Sequence, residues 1–379
     1  MFFRTLPLLL FASCVSIGPA IPKEWMSVPQ ARGIPTVGLD AEGKVTQGSA
    51  RTTGPIRVEN NRIFNGEKAL TDPFAAIDSF DYSASRGEVV FSVKRDDDFD
   101  IGLVSSDGSP ISWVPNDPAD EIDVQWAPRG NKISYTVRLK GGDIVRTVHI
   151  PTAFELSNAF PNGTIHALAW DPQAERYAVA YSTPDASDRV EVMKYDGKER
   201  RMAVEPEVRL DVDVEPFAKE AIVLRPREIR YDEKLPVVVW VAESFAWNDA
   251  RAALMKSSRV AMIVTTRSPD ADLWKAVGET SWMDASRAFV VERGAGVPPD
   301  PVGHPARRRV QSAPGETPVA GGRDARPPVT IVADPRVPEG RYRRGGGVLR
   351  VAPRVVQSFA AGFIADQLKR TAPPNASSR

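Results

Sequence analysis

Cysteine is almost absent from the 379 residues, because Cys14 stands alone. One thiol excludes an intramolecular disulfide framework and any zinc site built from clustered cysteines. Histidine is nearly as scarce, with only His149, His166 and His304. That leaves little material for a histidine-based metal site, and neither a metal nor a cofactor is expected. No sign of charge predominates, since 49 Lys and Arg stand against 49 Asp and Glu. The composition therefore offers no global basic surface for nucleic acid, and no such partner is expected. No stretch beyond the N-terminus is apolar over the ~20 residues that a membrane-spanning helix needs. The Gly-x-Ser-x-Gly turn that exposes a hydrolase nucleophile occurs nowhere in the chain. What remains is ordinary globular material, 42% hydrophobic and 26% charged, at a length that suggests two domains or three.

The first segment is an export signal over residues 1–20. Met1-Phe-Phe-Arg4 forms a one-arginine n-region, and Leu6 to Ala12 is an apolar run too short to span a bilayer. Two processing readings compete. Phe11-Ala-Ser-Cys14 resembles a bacterial lipobox, whose cysteine is lipidated and becomes the mature N-terminus. Gly18-Pro-Ala20 alternatively offers small residues for ordinary cleavage. The expected location is the cell envelope or periplasm, with a membrane anchor through Cys14.

Residues 28–215 carry an internal period. Tyr82, Trp126 and Trp170 lie 44 and 44 residues apart, each opening a phrase of turn and alternating apolar strand. Ile77, Ile122 and Ile165 precede them at nearly the same interval. Asp107-Gly108 and Asp196-Gly197 read as hairpin turns between further strands. Four short strands per period predict a β-propeller-like N-terminal domain of about 3–4 blades, with the aromatics packed between blades. The acidic run Asp96–Asp100 lacks the glycine and distal glutamate of an EF-hand loop and reads as a solvated hairpin tip.

Ser92-Val-Lys-Arg-Asp-Asp-Asp-Phe-Asp-Ile101 with Ser106-Asp-Gly108, and Trp126-Ala-Pro-Arg-Gly130, resemble the repeats of TolB-type propellers. Such repeats precede the catalytic domain in prolyl-oligopeptidase-like and dipeptidyl-peptidase-like serine hydrolases. The second half continues the resemblance. Residues 216–292 begin an α/β pattern, with buried strands Val237–Val241 and Val260–Val264 around a helical stretch, and Val329–Ala333 as a third such strand. Lys234-Leu-Pro-Val-Val-Val-Trp-Val241 is similar to the first buried strand of that family's α/β-hydrolase domain.

The resemblance implies site positions that the chain fills badly. Where the family has a His-Gly-Gly turn for its oxyanion hole, this chain has Ala242-Glu-Ser-Phe245. The nucleophile position reads Pro305, in Gly303-His-Pro-Ala-Arg307. Asp334-Pro-Arg-Val-Pro338 is similar to the family's acid motif, which makes Asp334 the one candidate catalytic residue. The base position, in Gly345-Gly-Gly-Val348, reads Val348. His149 and His166 read as structural or surface residues, and Ser281 lacks the glycines of a nucleophile turn. Residues 293–350 hold 10 Gly, 10 Pro and 11 Arg and read as an irregular segment inside an incomplete hydrolase-like domain. Residues 351–379 read as a C-terminal helix and tail. The sequence thus suggests an exported protein that binds an envelope protein, a peptide or a glycan through its repeats, without catalysis. The alternative is a serine hydrolase that uses unrecognised residues.

Overall fold

The computed structural model describes residues 19–26, 28–48, 54–115, 118–292, 328–335, 337, 341–345 and 347–371. Cys14, His304 and Pro305 lie outside them.

The 44-residue period becomes three four-stranded antiparallel sheets. The first runs Ile77–Ser83, Glu88–Arg95, Asp98–Ser105 and Ser112–Trp113. The second is built from Glu121–Trp126, Lys132–Val137, Ile144–His149 and Phe154–Ala159, and the third from Thr164–Trp170, Arg176–Thr183, Ala186–Lys194 and Arg201–Val204. Glycine closes the first turn of two sheets in left-handed backbone, Gly87 at φ 65° and Gly130 at φ 67°. In the third sheet Ala174 holds the same conformation at φ 59°, with Asp171 Oδ1 accepting the next amide, from Glu175, at 2.9 Å. Asp107-Gly108 and Asp196-Gly197 turn their hairpins as expected, with both glycines at positive φ. The acidic run is a hairpin tip, Asp96 standing at φ 47° between two paired strands.

These sheets pack in chain order, each burying the face that it cannot bury alone. Val90 and Ile101 of the first meet Val124, Trp126 and Tyr135 of the second. Val145 and Phe160 of the second meet Ile165, Leu168 and Trp170 of the third. Trp126 and Trp170 therefore serve as core between sheets, and Tyr82 packs beside the core under the first. The two ends are covered differently. A three-stranded sheet (Ile56–Glu59, Arg62–Asn65, Lys68–Ala69) places Ile56 and Ile63 against Val89 and Phe91. A two-stranded hairpin (Gly38–Leu39, Val45–Thr46) lays Val37 and Leu39 on Ala178, Ala180, Val190 and Val192 of the third sheet. Both end pieces are small, as terminal caps of stacked repeats are.

From residue 212 the chain forms one eight-stranded sheet. Its strands are β1 (Val212–Pro216), β2 (Ala221–Pro226), β3 (Leu235–Val241), β4 (Ala261–Thr265), β5 (Met283–Glu292), β6 (Val329–Ala333), β7 (Tyr342–Gly345) and β8 (Val348–Val351), in the order β1-β2-β4-β3-β5-β6-β8-β7. Strands β4, β3, β5, β6 and β8 are parallel, whereas β1, β2 and β7 pair antiparallel with their neighbours. The apolar run of β3 follows from burial on both faces. Val238 and Trp240 face helices α1 (Asp249–Ser257) and α3 (Val356–Thr371), while Val237 and Val239 face α2 (Ala271–Glu279).

Strand β6 coincides with the strand expected at Val329–Ala333, and β7 and most of β8 also fall inside the stretch 293–350 expected to be irregular. There the apolar pairs Ile331 and Ala333, Leu349 and Val351 alternate and are buried, and this local period outweighs the glycine and proline around it. Residues 19–26 form a strap across this sheet. Ala20 bridges to Arg341, and Trp25 sits edge-on against Phe359 and Phe363 of α3 at 5.5 and 5.6 Å. Gly362 makes room for it, since a Cβ there would lie 2.5 Å from Trp25. Among the described residues, no helix is long and apolar enough to cross a membrane.

Candidate functional site at the junction of the two sheet systems

The parallel strands end at Val241, Thr265, Glu292 and Ala333, and ligands of open α/β sheets bind outside such carboxyl ends. Asp334 stands there, one residue past β6 and buried. Its amide donates to Val351 O at 2.8 Å, and its carbonyl accepts from Val337 N at 3.1 Å. Its Oδ2 lies 4.0 Å from Arg350 Nε, so its neighbour in charge is a guanidinium.

The other sequence candidates lie elsewhere. Val348 opens β8 opposite Thr330, at the amino end of the sheet. The residues beside Asp334 are Val351 and Ala352, because 348–351 extend as a strand rather than forming a loop. Ser281 occupies an exposed turn just before β5, also at the amino end. His149 ends a strand of the second four-stranded sheet, and its Nδ1 meets Thr152 Oγ1 at 2.7 Å. Pro305 lies outside the described residues. Of the described candidates, Val348, Ser281 and His149 do not stand beside Asp334.

It does bring another set together. The first strand of each four-stranded sheet breaks register after its isoleucine, between Ile77 and Ser79, Ile122 and Gln125, and Ile165 and Ala167. In the third sheet the bulged residue is His166. Bulges re-aim a side chain, and here His166 Nε2 reaches Ser182 Oγ at 2.8 Å and Asp188 Oδ1 at 3.4 Å. Asp188 Oδ2 accepts from Ile34 N at 2.7 Å. Ser182 Oγ accepts from Trp247 N at 3.2 Å, which joins the third sheet to the loop after β3. Trp247 Nε1 then donates to Asp249 Oδ1 at 2.7 Å, and the same oxygen accepts from Ala31 N at 3.0 Å. Residues 31–34 complete the circuit, with Arg32 N donating to Glu207 Oε2 at 2.7 Å.

Serine, histidine and aspartate in contact invite comparison with a catalytic triad, whose imidazole uses one nitrogen for the hydroxyl and the other for the carboxylate. Here both approach Nε2, and Ser182 is only 1% exposed. The cluster ties two units together rather than presenting a nucleophile. The His166 side chain is 31% exposed; partial desolvation still moves its pKa below the ordinary histidine value, the Asp188 carboxylate opposes that shift, and the nearby Arg138 adds to it. Sequence reasoning could have found His166 from one signal: it is the third bulge position of the repeat, following Asp78 and Asp123.

Behind the loop lies Arg251, on the first turn of α1 and 2% exposed. Asn248 caps that turn by accepting the Arg251 amide at 3.0 Å. The guanidinium donates through Nη2 to Ala246 O, while Nε and Nη1 have no hydrogen-bond partner among the described residues. Burial alone depresses its pKa to about 10. Among the described residues, no group of three or more His, Cys, Asp or Glu could hold a metal ion.

No family model matches the chain, and no curated protein matches it significantly. Among solved structures it is similar to a puromycin hydrolase, at 13% identity and a TM-score of 0.46 over 68% of this chain and 48% of that one. It is also similar to a prolyl endopeptidase, at 11% identity and 0.46 over 69% and 45%. Prolyl oligopeptidase B from Galerina marginata gives 9% and 0.47 over 69% and 44%. The likeness to these prolyl-oligopeptidase-type proteins is distant and one of fold, and the chain spans less than half the length of each.

Proposed function

We propose that the chain is an exported, lipid-anchored protein built on the plan of prolyl-oligopeptidase-like hydrolases, with a propeller-like arc of sheets and an incomplete α/β-hydrolase-like domain. On this reading it performs no hydrolysis and recruits an envelope protein, a peptide or a glycan through its repeat sheets. The observation that carries the reading is the fate of the loop after β3. In an α/β hydrolase that loop supplies a backbone N–H to the oxyanion; here its Trp247 N–H donates to Ser182 Oγ of the repeat sheet. The Arg350 guanidinium beside Asp334 supports the same reading, because a triad acid must orient an imidazole.

One observation favours the alternative of a serine hydrolase, namely the 2.8 Å contact between Ser182 Oγ and His166 Nε2. Labelling of the folded protein with a fluorophosphonate probe decides between the two. The expected result is no labelling beyond that of the heat-denatured control. A native-only adduct that maps to Ser182 and vanishes in Ser182→Ala would establish the hydrolase instead.

The strap bears on processing. Cleavage after Ala20 would remove the bridge to Arg341 and leave a charged amine on Ile21, which is 8% exposed within the core beneath α3. Burying an unpaired charge is strongly unfavourable, which supports processing at Cys14. Intact-mass analysis of the exported protein is expected to show a lipidated chain that begins at Cys14. A mature chain that begins at Ile21 would refute the anchor.

A further inference from the structure

We propose that the circuit Trp247–Ser182–His166–Asp188–Ile34 is an acid-sensitive latch, which holds the loop after β3 on the third repeat sheet near neutral pH and releases it when His166 gains a proton. The latch goes beyond the recruitment reading, with which it shares the Trp247–Ser182 bond, because it concerns what covers the carboxyl end of the large sheet and when.

The protons at one hydroxyl couple the loop to the histidine. Ser182 Oγ can donate once and accept twice. It accepts from Trp247 N, and its own proton needs an acceptor, since the residue is buried. Neutral His166, in the tautomer that leaves Nε2 unprotonated, supplies one at 2.8 Å. A proton on Nε2 removes that acceptor. The imidazolium now has a better partner in Asp188 Oδ1, 3.4 Å away, and it turns from the hydroxyl to the carboxylate. Ser182 is left with a buried O–H and no acceptor, so the arrangement that presents Oγ to Trp247 is lost. The other arm behaves differently. Asp188 offers a separate oxygen, Oδ2, to Ile34 N at 2.7 Å, and that bond survives the change at His166.

The charged groups around His166 set the direction. Asp188 favours the charged imidazole, whereas burial and Arg138, which reaches Ile165 O from the second sheet at 2.9 Å, disfavour it. Arg138 is itself held by Asp143, which partly offsets its charge. Across the junction, Asp249 and Glu207 are engaged by the amides of Ala31 and Arg32. The net effect holds the folded-state pKa of His166 below its unfolded value. The sign follows: the latch is fully present above the ordinary histidine value of about 6.5 and is lost as pH falls through the lower folded value. What is uncovered is the loop 242–248 at the end of the sheet where Asp334 sits.

Amide hydrogen exchange of the full chain, corrected for the intrinsic pH dependence, tests the latch. Between about pH 7.5 and about pH 5, a range that spans histidine titration, protection at Trp247 is expected to fall roughly tenfold while Ile34 and the β3 amides keep theirs. His166→Gln, whose amide can accept from Ser182 without titrating, is expected to keep Trp247 protected at both pH values. Ser182→Ala should leave Trp247 unprotected at both. Three outcomes would overturn the proposal: unchanged protection at Trp247 in acid, the same acid loss in His166→Gln, or a parallel loss at Trp247, Ile34 and β3.

Discussion

Asp143→Ala is expected to lower the unfolding free energy by about 3 kcal/mol, with the loss concentrated where the second and third repeat sheets meet. Asp143 lies just before the third strand of the second sheet and is 4% exposed. Its Oδ2 accepts from Ile165 N at 2.7 Å and from Arg138 Nη1, and Arg138 Nη2 donates to Ile165 O at 2.9 Å. One carboxylate and one guanidinium thus bind both backbone groups of the residue before the third bulge. Alanine would leave the Ile165 N–H buried without an acceptor and Arg138 without its counter-charge. The Arg138 side chain is 31% exposed, so solvent recovers part of that second loss.

Asp143→Asn separates the two effects. Burial raises the Asp143 pKa despite Arg138, so the site penalises charge, and an amide that can still accept from Ile165 should lose less than half as much. A raised folded-state value also means that this group favours the fold below its unfolded pKa and loses that contribution as pH rises through the folded value. Its pH dependence is opposite in sign to that of His166. Urea unfolding of both variants near neutral pH checks the ranking. Equal losses in Asn and Ala would show that charge, not the Ile165 bond, is what matters.

The period of 44 was legible because each repeat must bury the same faces, and this constrains Trp126, Trp170 and their strands in the same way. The run Val237–Val241 was legible because burial on both faces leaves no polar position. The ends of the array were not, since strands of two residues such as Gly38–Leu39 are too short to carry a period. The strap was hidden for a similar reason, as Trp25 is isolated in sequence from the aromatic residues that it meets. Val348, the base position that the resemblance implies, lies at the other end of β8 from Asp334, because 348–351 extend as a strand. The junction circuit is assembled from residues 31–34, 166, 182, 188 and 247–249. Its members are brought together only by packing of the third sheet against the loop after β3, and no local pattern announces that contact. The register break at His166 is the one part of the circuit with a local cause, because the first strand of each four-stranded sheet breaks at the same place.

The helix that follows the same loop holds a buried charge, and removing it is expected to stabilise the protein. Arg251→Met should raise the unfolding free energy by about 2 kcal/mol, within the range of about 1–4 kcal/mol seen when buried ionic groups give way to apolar ones of similar volume. Among the described residues, the guanidinium makes one hydrogen bond, to Ala246 O, and leaves Nε and Nη1 unpaired. Burial alone drives its pKa down to about 10, the direction expected when desolvation is not repaid by a counter-charge. Methionine keeps most of the unbranched length, fills irregular space and suits a helix, and it can pack against the Ala250, Ala252 and Leu254 side of α1. The N-cap bond from the Arg251 amide to Asn248 is a backbone bond and survives the change. Ala246 O loses its donor, which is why the expected gain is set below the upper end of the range. A rise in the urea midpoint at constant slope would confirm the gain. A fall, with faster exchange across residues 244–248, would show instead that Arg251 fixes the loop in the position from which Trp247 reaches Ser182, and that the strain of one buried cation is retained because the junction depends on it.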